Sequence, residues 1–365
     1  MDIKNLNDRF VALRPDSRED MKSTIQELLA GNDATVIDTH NTKSMIFTFT
    51  ADRERYGLKI EYDAAKVTRD EAHWYEKAPD RLKKHFVSSA IEEDHAFVLL
   101  RWFDGAPTIE QLAMKGADEA EGVIDAYLDA LSQDEELFDS FESIALPKDT
   151  NSFFKDKFYV KLQQAEAHPY LYDFLTSEEV TLNGRNVAGP KVLIDRLHDN
   201  ETARRYLSPD RAGFIHGDLH ADNLIVDAGN VYLVDPNGLD HLPLEYDHGR
   251  VLWSLSGWNA IVRHEHTLTA HGENSFTLEV PVRKPYELGL PRIQQYFQEY
   301  SERTGLESDQ GYQRALYSSA MQYLSRADHA AVEHEALGLH LRGLEQLVEI
   351  CELQNIPVTK TEHAE

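Results

Sequence analysis

The sequence predicts an α+β protein built of two lobes, a small strand-rich lobe followed by a larger and mainly helical one. Up to about Gly105 the chain has short apolar segments that alternate as strands do, and beyond it apolar residues recur at helical spacing. A length of 365 residues with 41% hydrophobic content is enough for about two domains with cores of their own. We therefore expect lobes of residues 1–105 and 106–365.

The first lobe is predicted to contain both helices and strands. The strands are expected at residues 35–37, 45–49, 57–62 and 96–100, and the helices at residues 17–29 and 68–84. In the third strand Leu58, Ile60 and Tyr62 share one face, while Lys59 and Glu61 point to the opposite one. Lys59 therefore faces away from the apolar side of its strand.

Beyond Gly105, apolar stripes at helical spacing predict helices that pack into a core. The stripes consist of Ile124, Leu128 and Leu131, of Phe154, Phe158 and Leu162, and of Leu337, Leu341, Leu344 and Val348. We interpret these stripes as core and not as cofactor contacts.

The segment FIHGDLHADNLIVDAGNVYLVDPNG, residues 214–238, holds polar side chains at a defined spacing. Asp218 is followed after five positions by Asn223, and Asp235 comes twelve positions later. Two apolar runs between Asn223 and Asp235 are separated by turn residues, which predicts a β-hairpin. Such a hairpin brings Asn223 and Asp235 nearly opposite each other, roughly 5 Å apart between backbones.

These residue types suit a phosphoryl-transfer site. A hard cation such as Mg²⁺ prefers carboxylate and amide oxygens, so Asn223 and Asp235 are candidate metal ligands. Asp218 precedes the hairpin and is a candidate base for the proton of an incoming hydroxyl. In the alternative interpretation H-G-D is only a polar turn and Asp235 caps a strand, which explains each residue singly but not the complete set in this order.

The order H-G-D-x-x-x-x-N followed by V-D-P resembles the aminoglycoside phosphotransferase and choline kinase family, the small-molecule enzymes of the protein-kinase-like fold. The resemblance implies a two-lobed kinase-like fold whose base is Asp218 and whose metal ligands are Asn223 and Asp235. It further implies that Asp247, at the start of a helix, braces the loop. His216 is expected to pack within the same loop, and His220 is open to that role as well.

The resemblance also assigns nucleotide-binding residues in the first lobe. Lys59 is expected to contact the α- and β-phosphates and to pair with Glu71, for which Glu76 is the alternative. Arg101 and Trp102 follow a predicted strand where the family's hinge binds adenine through backbone groups. A solvated strand lysine and an ordinary buried strand are the structural alternatives.

The turn of residues 38–44 is expected to cover the phosphates of the nucleotide. It contains no glycine, so it departs from the glycine-rich loop of protein kinases. The hydroxyl groups of Thr42 and Ser44, together with backbone N–H groups, are the expected phosphate contacts.

The function implied by the resemblance is transfer of the γ-phosphoryl group of ATP or GTP, with Mg²⁺, to a hydroxyl of a small molecule such as an aminoglycoside, a sugar or an amino alcohol. A nucleotide-binding regulatory module without turnover and a protein-kinase-like enzyme are the alternatives. The second is disfavoured because D-F-G and A-P-E segments are missing along with the glycine loop.

Net charge and apolar content limit the classes of partner that we expect for this protein. A formal net charge of −27 argues against nucleic-acid binding and slightly favours a cationic acceptor, although many proteins are acidic only for solubility. No apolar run approaches the ~18 residues of a membrane helix, and the N-terminal residues lack a signal region. We expect a cytoplasmic protein without a membrane partner. A single cysteine, Cys351, excludes a disulfide framework.

Residues 263–291 combine three histidines with a strand-like stretch and a proline-containing loop. A zinc site is disfavoured, because His264 and His266 do not share a helix face and no cysteine lies nearby. The favoured interpretation is an insertion that helps to bind the acceptor, with contributions from Glu265, Glu273 and Glu279. A variable surface loop is an equally good interpretation.

Overall fold

The computed structural model describes residues 2–13, 17–37, 44–62, 66–92, 95–146, 152–237, 241–326 and 332–359. The chain forms a strand-rich N-terminal part and a mainly helical C-terminal part, which confirms the predicted α+β class. Among the described residues, no helix has both the length and the apolar composition needed to cross a bilayer.

A five-stranded antiparallel sheet forms the centre of the N-terminal part. Its elements are α1 (Ile3–Val11), α2 (Arg18–Leu28), β1 (Thr35–Ile37), β2 (Ser44–Ala51), β3 (Glu54–Tyr62), α3 (Lys66–Lys77), β4 (Phe86–Ile91) and β5 (His95–Arg101). The strand order is β1-β2-β3-β5-β4, so the strand that carries Lys59 is central and not an edge strand. Helix α3 ends earlier than the predicted 84, because Pro79 disfavours helical geometry in the residue before it.

The two faces of this sheet pack against different parts of the chain. Leu58 and Ile60 of β3 face the helices α1 and α2, together with Phe97 of β5. Val98, the next residue of β5, packs on the opposite face against α3 and Phe214 of the C-terminal part. Because side chains alternate along a strand, Lys59, which lies between Leu58 and Ile60, faces the C-terminal part.

The C-terminal part consists of helices, a long hairpin region and short strand pairs. Its elements are α4 (Ile109–Ala113), α5 (Ala120–Asp139), β6 (Ile144–Ala145), α6 (Ser152–Ala165), α7 (Pro169–Thr176), β7 (Glu179–Leu182), β8 (Arg185–Ala188), α8 (Pro190–Asp199), α9 (Glu201–Leu207), β9 (Arg211–Ala212), β10 (Leu224–Asp227), β11 (Asn230–Leu233), α10 (Glu245–Leu255), α11 (Trp258–Val262), β12 (Thr267–Gly272), β13 (Ser275–Glu279), α12 (Lys284–Thr304), α13 (Gln310–Leu324) and α14 (Glu333–Leu353). The predicted helical stripes lie on α5, α6 and α14, and most of their residues are buried in one core. Cys351 is also buried there.

Helix α10 lies at the centre of the C-terminal part, and each of its residues is buried. It packs closely on α13, since a Cβ atom at Gly249 would come within 2.4 Å of Ser318 Oγ. The first turn of α10 carries Asp247, and the next turn carries Arg250. This helix therefore supports the residues around it rigidly.

Residues 263–291, predicted as an insertion, form a hairpin and the start of a helix. The strands β12 and β13 pair with each other and extend a small sheet in the order β12-β13-β7-β8. The following helix α12 begins at Lys284 and contains Pro291.

The buried His248 of α10 gives a prediction about acid stability. Its ring lies among Tyr296, Phe297 and Tyr300, and neither ring nitrogen has a hydrogen-bond partner among the described residues. Burial lowers the pKa of His248 to about 3 in the folded protein, whereas the pKa of a histidine in the unfolded chain is ~6.5. The unfolded chain therefore binds a proton on this ring more tightly than the folded protein does. The stability that the neutral ring supports is complete above pH ~6.5 and is lost as the pH falls towards 3.

We therefore expect the unfolding free energy of the wild type, relative to His248→Phe, to fall by about 1.4 kcal/mol per pH unit between pH ~6 and ~4. Urea unfolding of both proteins at several pH values in that range measures the difference. A difference that does not change with pH would contradict a neutral buried ring.

Candidate active site

The loop that contains Asp218 is held by hydrogen bonds from its backbone to α10. Asp247 accepts from the N–H groups of Gly217 at 2.6 Å and Leu219 at 3.2 Å. Gly217 has a φ of +81°, a conformation that glycine adopts without the steric cost of a side chain. The predicted bracing role of Asp247 is thus confirmed, since both of its carboxylate oxygens fix the loop.

His216 is a structural residue of the same loop, as predicted. Its ring accepts from the N–H of Asp218 at Nδ1, at 3.3 Å, and donates from Nε2 to the carbonyl of Val234 at 3.0 Å. The two contacts require a neutral ring, and burial lowers the pKa of His216 to about 4. His216 thereby ties the loop to the end of the hairpin.

Asp134 of α5 is part of this support and was not predicted from the sequence. Its carboxylate accepts from the N–H of His216 at 2.9 Å, across 82 residues of chain. Burial, and then the charge of the neighbouring Asp247, raise the pKa of Asp134 well above its ordinary value. Asp134 thus ties α5 to the backbone of the loop that contains Asp218.

The predicted hairpin is formed by β10 and β11, and its register brings Asn223 and Asp235 to the same end. Leu224 pairs with Leu233, and the N–H of Val234 donates to the carbonyl of Asn223 at 3.0 Å. Asp235 follows directly, with a φ of +56° that is unusual for a residue with a side chain. This left-handed conformation is a local strain of a kind that clusters at functional sites.

Asn223 joins the hairpin to Asp218. Its side-chain amide donates to the carbonyl of Asp218 at 3.0 Å and to Asp218 Oδ2 at 3.3 Å. With the nitrogen engaged in this way, the amide oxygen of Asn223 is the atom suited to bind a cation. Asp235 adds a carboxylate that is 55% exposed, so the two side chains offer the oxygen donors that Mg²⁺ prefers.

Lys59 connects the sheet to the hairpin. Its Nζ lies 2.7 Å from Glu71 Oε2 of α3 and 2.5 Å from Asp235 Oδ1. Burial alone would lower the pKa of Lys59, but the charges of Glu71 and Asp235 outweigh this effect and hold it above its ordinary value. Glu71 is thus the partner of Lys59, whereas the alternative Glu76 is exposed and lies 3.6 Å from His73.

Asp218 is surrounded by positively charged and hydrogen-bonding groups. Arg250 Nη2 lies 3.2 Å from Asp218 Oδ1, and His220 Nε2 lies 3.5 Å from Oδ2. Burial alone would raise the pKa of Asp218, but Arg250 first and then His220 lower it below its ordinary value. Asp218 is therefore ionised at neutral pH.

Arg250 is a site residue that the sequence analysis missed. It is buried, and it lies three positions after Asp247 on α10, so both side chains point to the loop from one helix face. The i, i+3 spacing from the bracing aspartate was the signal available in the sequence.

Thr42 and Ser44 were predicted to contact phosphate from the turn of residues 38–44, and these contacts stay a prediction. Thr42 lies outside the described residues. Ser44 is buried at the start of β2, and its hydroxyl lies 3.3 Å from the hydroxyl of Thr68 in α3. This side chain joins the sheet to a helix because it faces α3.

The predicted hinge residues, Arg101 and Trp102, use their backbone N–H groups within the protein. Arg101 pairs with Glu54 at 2.8 Å, and its N–H donates to the carbonyl of His85. The N–H of Trp102 donates to the carbonyl of Arg55 at 2.9 Å. Neither N–H is therefore available to an adenine ring, because strand pairing and sheet-edge contacts use both.

The indole of Trp102 lies against β3 beside Lys59. A Cβ atom at Gly57 would come within 2.5 Å of this ring, so the absence of a side chain there allows the contact. Gly57 and Lys59 are two positions apart on β3 and share a face. The structure thus brings an aromatic ring to the sheet face that also carries Lys59.

The histidines of residues 263–291 contact separate groups. His264 lies near Glu335, His266 near the carbonyl of His334, and His271 near the hydroxyl of Thr277. In the described ranges no group of three or more His, Cys, Asp or Glu side chains is arranged to hold a metal ion.

The three acidic residues predicted to bind the acceptor differ in their surroundings. Glu265 pairs with Arg283 at 2.8 Å, while Glu273 and Glu279 are exposed on the hairpin. Arg263, at the start of this region, lies 3.4 Å from Asp222 of the loop that contains Asp218. The region therefore reaches the loop through an arginine and not through a glutamate.

The assembled site has two ends joined by the hairpin. At one end the ammonium group of Lys59 lies beside the oxygen donors of Asp235 and Asn223. This arrangement suits a metal-bound polyphosphate. At the other end Asp218 offers an ionised carboxylate to a hydroxyl group.

Comparison with known proteins supports this chemistry. The family model described as the phosphotransferase enzyme family matches residues 47–272, more than half of the chain. No curated protein matches the chain in sequence.

Solved structures share the fold at low sequence identity. The apo form of a thermostable mutant of aminoglycoside phosphotransferase APH(4)-Ia has a TM-score of 0.53 and 11% identity, covering 90% of this chain and 98% of that chain. A ternary complex of a thermostable mutant of the same enzyme with ADP and hygromycin B has a TM-score of 0.51 and 10% identity, with coverage of 89% and 97%. A choline/ethanolamine kinase family protein from Mesorhizobium loti has a TM-score of 0.50 and 12% identity, with coverage of 92% and 96%. The chain belongs to the phosphotransferase enzyme family, and it is a kinase with the two-lobed, protein-kinase-like α+β fold.

Proposed function

We propose that this kinase transfers the γ-phosphoryl group of ATP or GTP to a hydroxyl of a small molecule. The observation that carries the proposal is the contact of Lys59 with both Glu71 and Asp235, which joins the sheet to the hairpin beside Asp218. Residues 1–105 form the nucleotide-binding lobe in this proposal, and residues 106–365 form the catalytic and acceptor-binding lobe.

Each residue of the site has a role in the proposed reaction. Asn223 and Asp235 hold Mg²⁺, which neutralises charge on the transferred phosphoryl group. Lys59 orients the α- and β-phosphates, and Glu71 keeps its side chain extended towards them. Asp218 accepts the hydroxyl proton as the acceptor oxygen bonds to phosphorus and the bond to the nucleoside diphosphate breaks.

Arg250 and Asn223 support this step by holding the carboxylate of Asp218. Their contacts at 3.2 Å and 3.3 Å reach different oxygens of the side chain, so its orientation is restricted before the acceptor binds. Preorganised groups of this kind do not need to rearrange during the reaction.

A nucleotide-consumption screen tests the proposed function. ATP or GTP, with Mg²⁺, is incubated with a panel of hydroxylated metabolites and aminoglycosides, and Asp218→Asn prepared in parallel serves as the control. We expect at least one compound to stimulate consumption in the wild type only. Nucleotide binding without stimulation by any compound would favour a regulatory module instead.

The backbone N–H of Trp102 is used within the protein. We therefore propose that the nucleotide base contacts Trp102 by stacking on its indole ring. Gly57→Val should displace this ring, because a Cβ atom there would overlap it. We expect KM for the nucleotide to rise about tenfold with little change in kcat. A tenfold change lies near the low end of the loss in binding expected when a base no longer stacks on an aromatic side chain.

Steady-state kinetics with varied nucleotide measure the effect, and thermal unfolding shows whether the variant is folded. The matched control is Gly122→Val, because a Cβ atom at Gly122 meets nothing within 4 Å. An unchanged KM in a folded Gly57→Val protein would remove Trp102 from the nucleotide site.

A further inference from the structure

Positive charge is concentrated beside Asp218, although the chain as a whole carries a net charge of −27. Three successive contacts lead away from its carboxylate: Arg250 Nη2 to Asp218 at 3.2 Å, Arg250 Nη2 to the Tyr246 hydroxyl at 3.3 Å, and Lys157 Nζ to the same hydroxyl at 3.1 Å. A further cation, Arg326, lies over the rings of Trp253 and Trp258. Cations and aromatic rings therefore form a series of contacts that begins at Asp218.

Lys157 has no carboxylate partner among the described residues. It is half-buried on α6, and its ammonium group lies 4.6 Å from the centre of the Tyr246 ring, next to the hydroxyl contact. Burial lowers the pKa of Lys157, and the charges of Arg250 and Arg326 add to the effect while Tyr246 opposes it. A partly buried ammonium group without a counter-ion is costly, and an anionic ligand at this position reduces that cost.

Arg250 has unused hydrogen-bonding capacity in the same place. It is buried, and its Nε has no hydrogen-bond partner among the residues that the structure describes. A guanidinium group has five N–H donors, and the contacts of Arg250 with Tyr246 and Asp218 both use Nη2. Buried donors without partners are uncommon in folded proteins, and an ion is one of the partners that can satisfy them.

Tyr246 reports the sign of the local potential. Burial alone would raise the pKa of its hydroxyl, but the charges of Arg250 and Lys157 outweigh burial and lower it below its ordinary value. The position between the two cations therefore stabilises negative charge, even without an ion bound there.

We propose that the phosphoryl acceptor carries an anionic group, a phosphate or a carboxylate, which Lys157 and Arg250 bind while its hydroxyl lies on Asp218. This inference rests on the proposed function and names the substrate class of the same site. It replaces the cationic acceptor that the net charge favoured. A cationic acceptor would bring its charge next to Lys157, Arg250 and Arg326, where it is repelled.

Acceptors that share a carbon skeleton and carry a neutral, cationic or anionic group test the inference. One set is glucose, glucosamine, glucuronate and glucose 6-phosphate, and the other is glycerol, 2-amino-1,3-propanediol, glycerate and glycerol 3-phosphate. We expect kcat/KM for the anionic members to exceed that of the neutral member by about 10- to 100-fold, as charge-assisted hydrogen bonds imply. Preference for the neutral or the cationic member overturns the inference while the proposed function stands.

Inorganic phosphate provides a test that needs no turnover and no particular acceptor skeleton. It is titrated by calorimetry into protein saturated with Mg²⁺ and AMP-PNP, so that the nucleotide site is filled. We expect binding to the wild type, loss of at least about tenfold in affinity in Lys157→Met, and a larger loss in Lys157→Glu. Absence of phosphate binding to the nucleotide-saturated wild type overturns the inference.

Lys155→Met is the matched control, since Lys155 lies on the same helix and contacts only the ring of Tyr159 in the described part of the chain. It should bind phosphate as the wild type does. Lys157→Met should raise KM for an anionic acceptor while KM for the nucleotide is unchanged, which a general loss of structure would not do. Equal phosphate affinity in Lys155→Met and Lys157→Met overturns the assignment of Lys157 to the anionic group. Failure of the wild type and of every variant to bind AMP-PNP would instead contradict the proposed function.

Discussion

Asp218→Asn is expected to lower turnover by about two to four orders of magnitude, the range associated with a positioned general base. The amide has nearly the same shape as the carboxylate, and its single oxygen can still accept a hydrogen bond from Arg250 while Asn223 keeps its bond to the backbone carbonyl of position 218. It cannot take up the proton of the acceptor hydroxyl. Because Lys59 and Asp235 lie at the other end of the site, nucleotide binding should stay near the wild-type level.

The control for this substitution is Asp222→Asn. Asp222 belongs to the same loop, but its carboxylate lies 3.4 Å from Arg263 and contacts none of the groups around Asp218. Single-turnover measurements with saturating nucleotide and a confirmed acceptor separate chemistry from binding, and thermal unfolding shows whether either variant is destabilised. Near-normal turnover in a folded Asp218→Asn protein would show that Asp218 is not the base.

The hairpin and the direction of Lys59 were predictable because both depend on local pattern. Alternation places Leu58 and Ile60 in one core, so Lys59 must point to the opposite side of β3. Two apolar runs around a short turn leave little choice of register, and the observed pairing of Leu224 with Leu233 follows from it. Local rules of this kind act within a few residues and can be read without a structure.

The supports of the site were not predictable in the same way, because they come from elements distant in sequence. Asp134 reaches His216 from a helix 82 residues earlier in the chain. Ser44 was expected to contact phosphate through its hydroxyl and Trp102 to bind adenine through its backbone, but the Ser44 hydroxyl contacts Thr68 of α3 and the Trp102 N–H donates to the carbonyl of Arg55. Tertiary contacts decide such cases, and the sequence pattern is the same for either outcome.

Net charge does not determine the charge at the acceptor end of the site, for a related reason. A value of −27 describes the whole surface, whereas the acceptor end of the site depends on a few side chains. Lys157 and Arg250 meet at Tyr246 although 93 positions separate the two cations in sequence, counted from 157 to 250. Composition contains no information about such a meeting, so the sign of the local potential had to come from the structure.

Replacement of Asp235 is expected to abolish Mg²⁺-dependent nucleotide binding more severely than replacement of Asn223. A carboxylate compensates the charge of the cation, and a neutral amide does not. Asp235→Ala also removes the 2.5 Å contact with Lys59 and places alanine at a φ of +56°, which adds a steric cost unrelated to the metal. Asp235→Asn is the cleaner variant, because asparagine keeps the shape and tolerates this backbone conformation.

We expect Asp235→Asn to weaken Mg²⁺-dependent nucleotide affinity by more than about 100-fold, since changes to groups that merely orient metal ligands already cost about 10- to 100-fold. Asn223→Ala should weaken it by about tenfold, because one neutral oxygen donor is lost and Asp235 stays. Calorimetric titration of nucleotide with and without Mg²⁺ measures both, and the unfolding temperature of each variant serves as the control for folding. Wild-type affinity that does not depend on Mg²⁺, or a greater loss in Asn223→Ala than in Asp235→Asn, would contradict the proposed division between the two ligands.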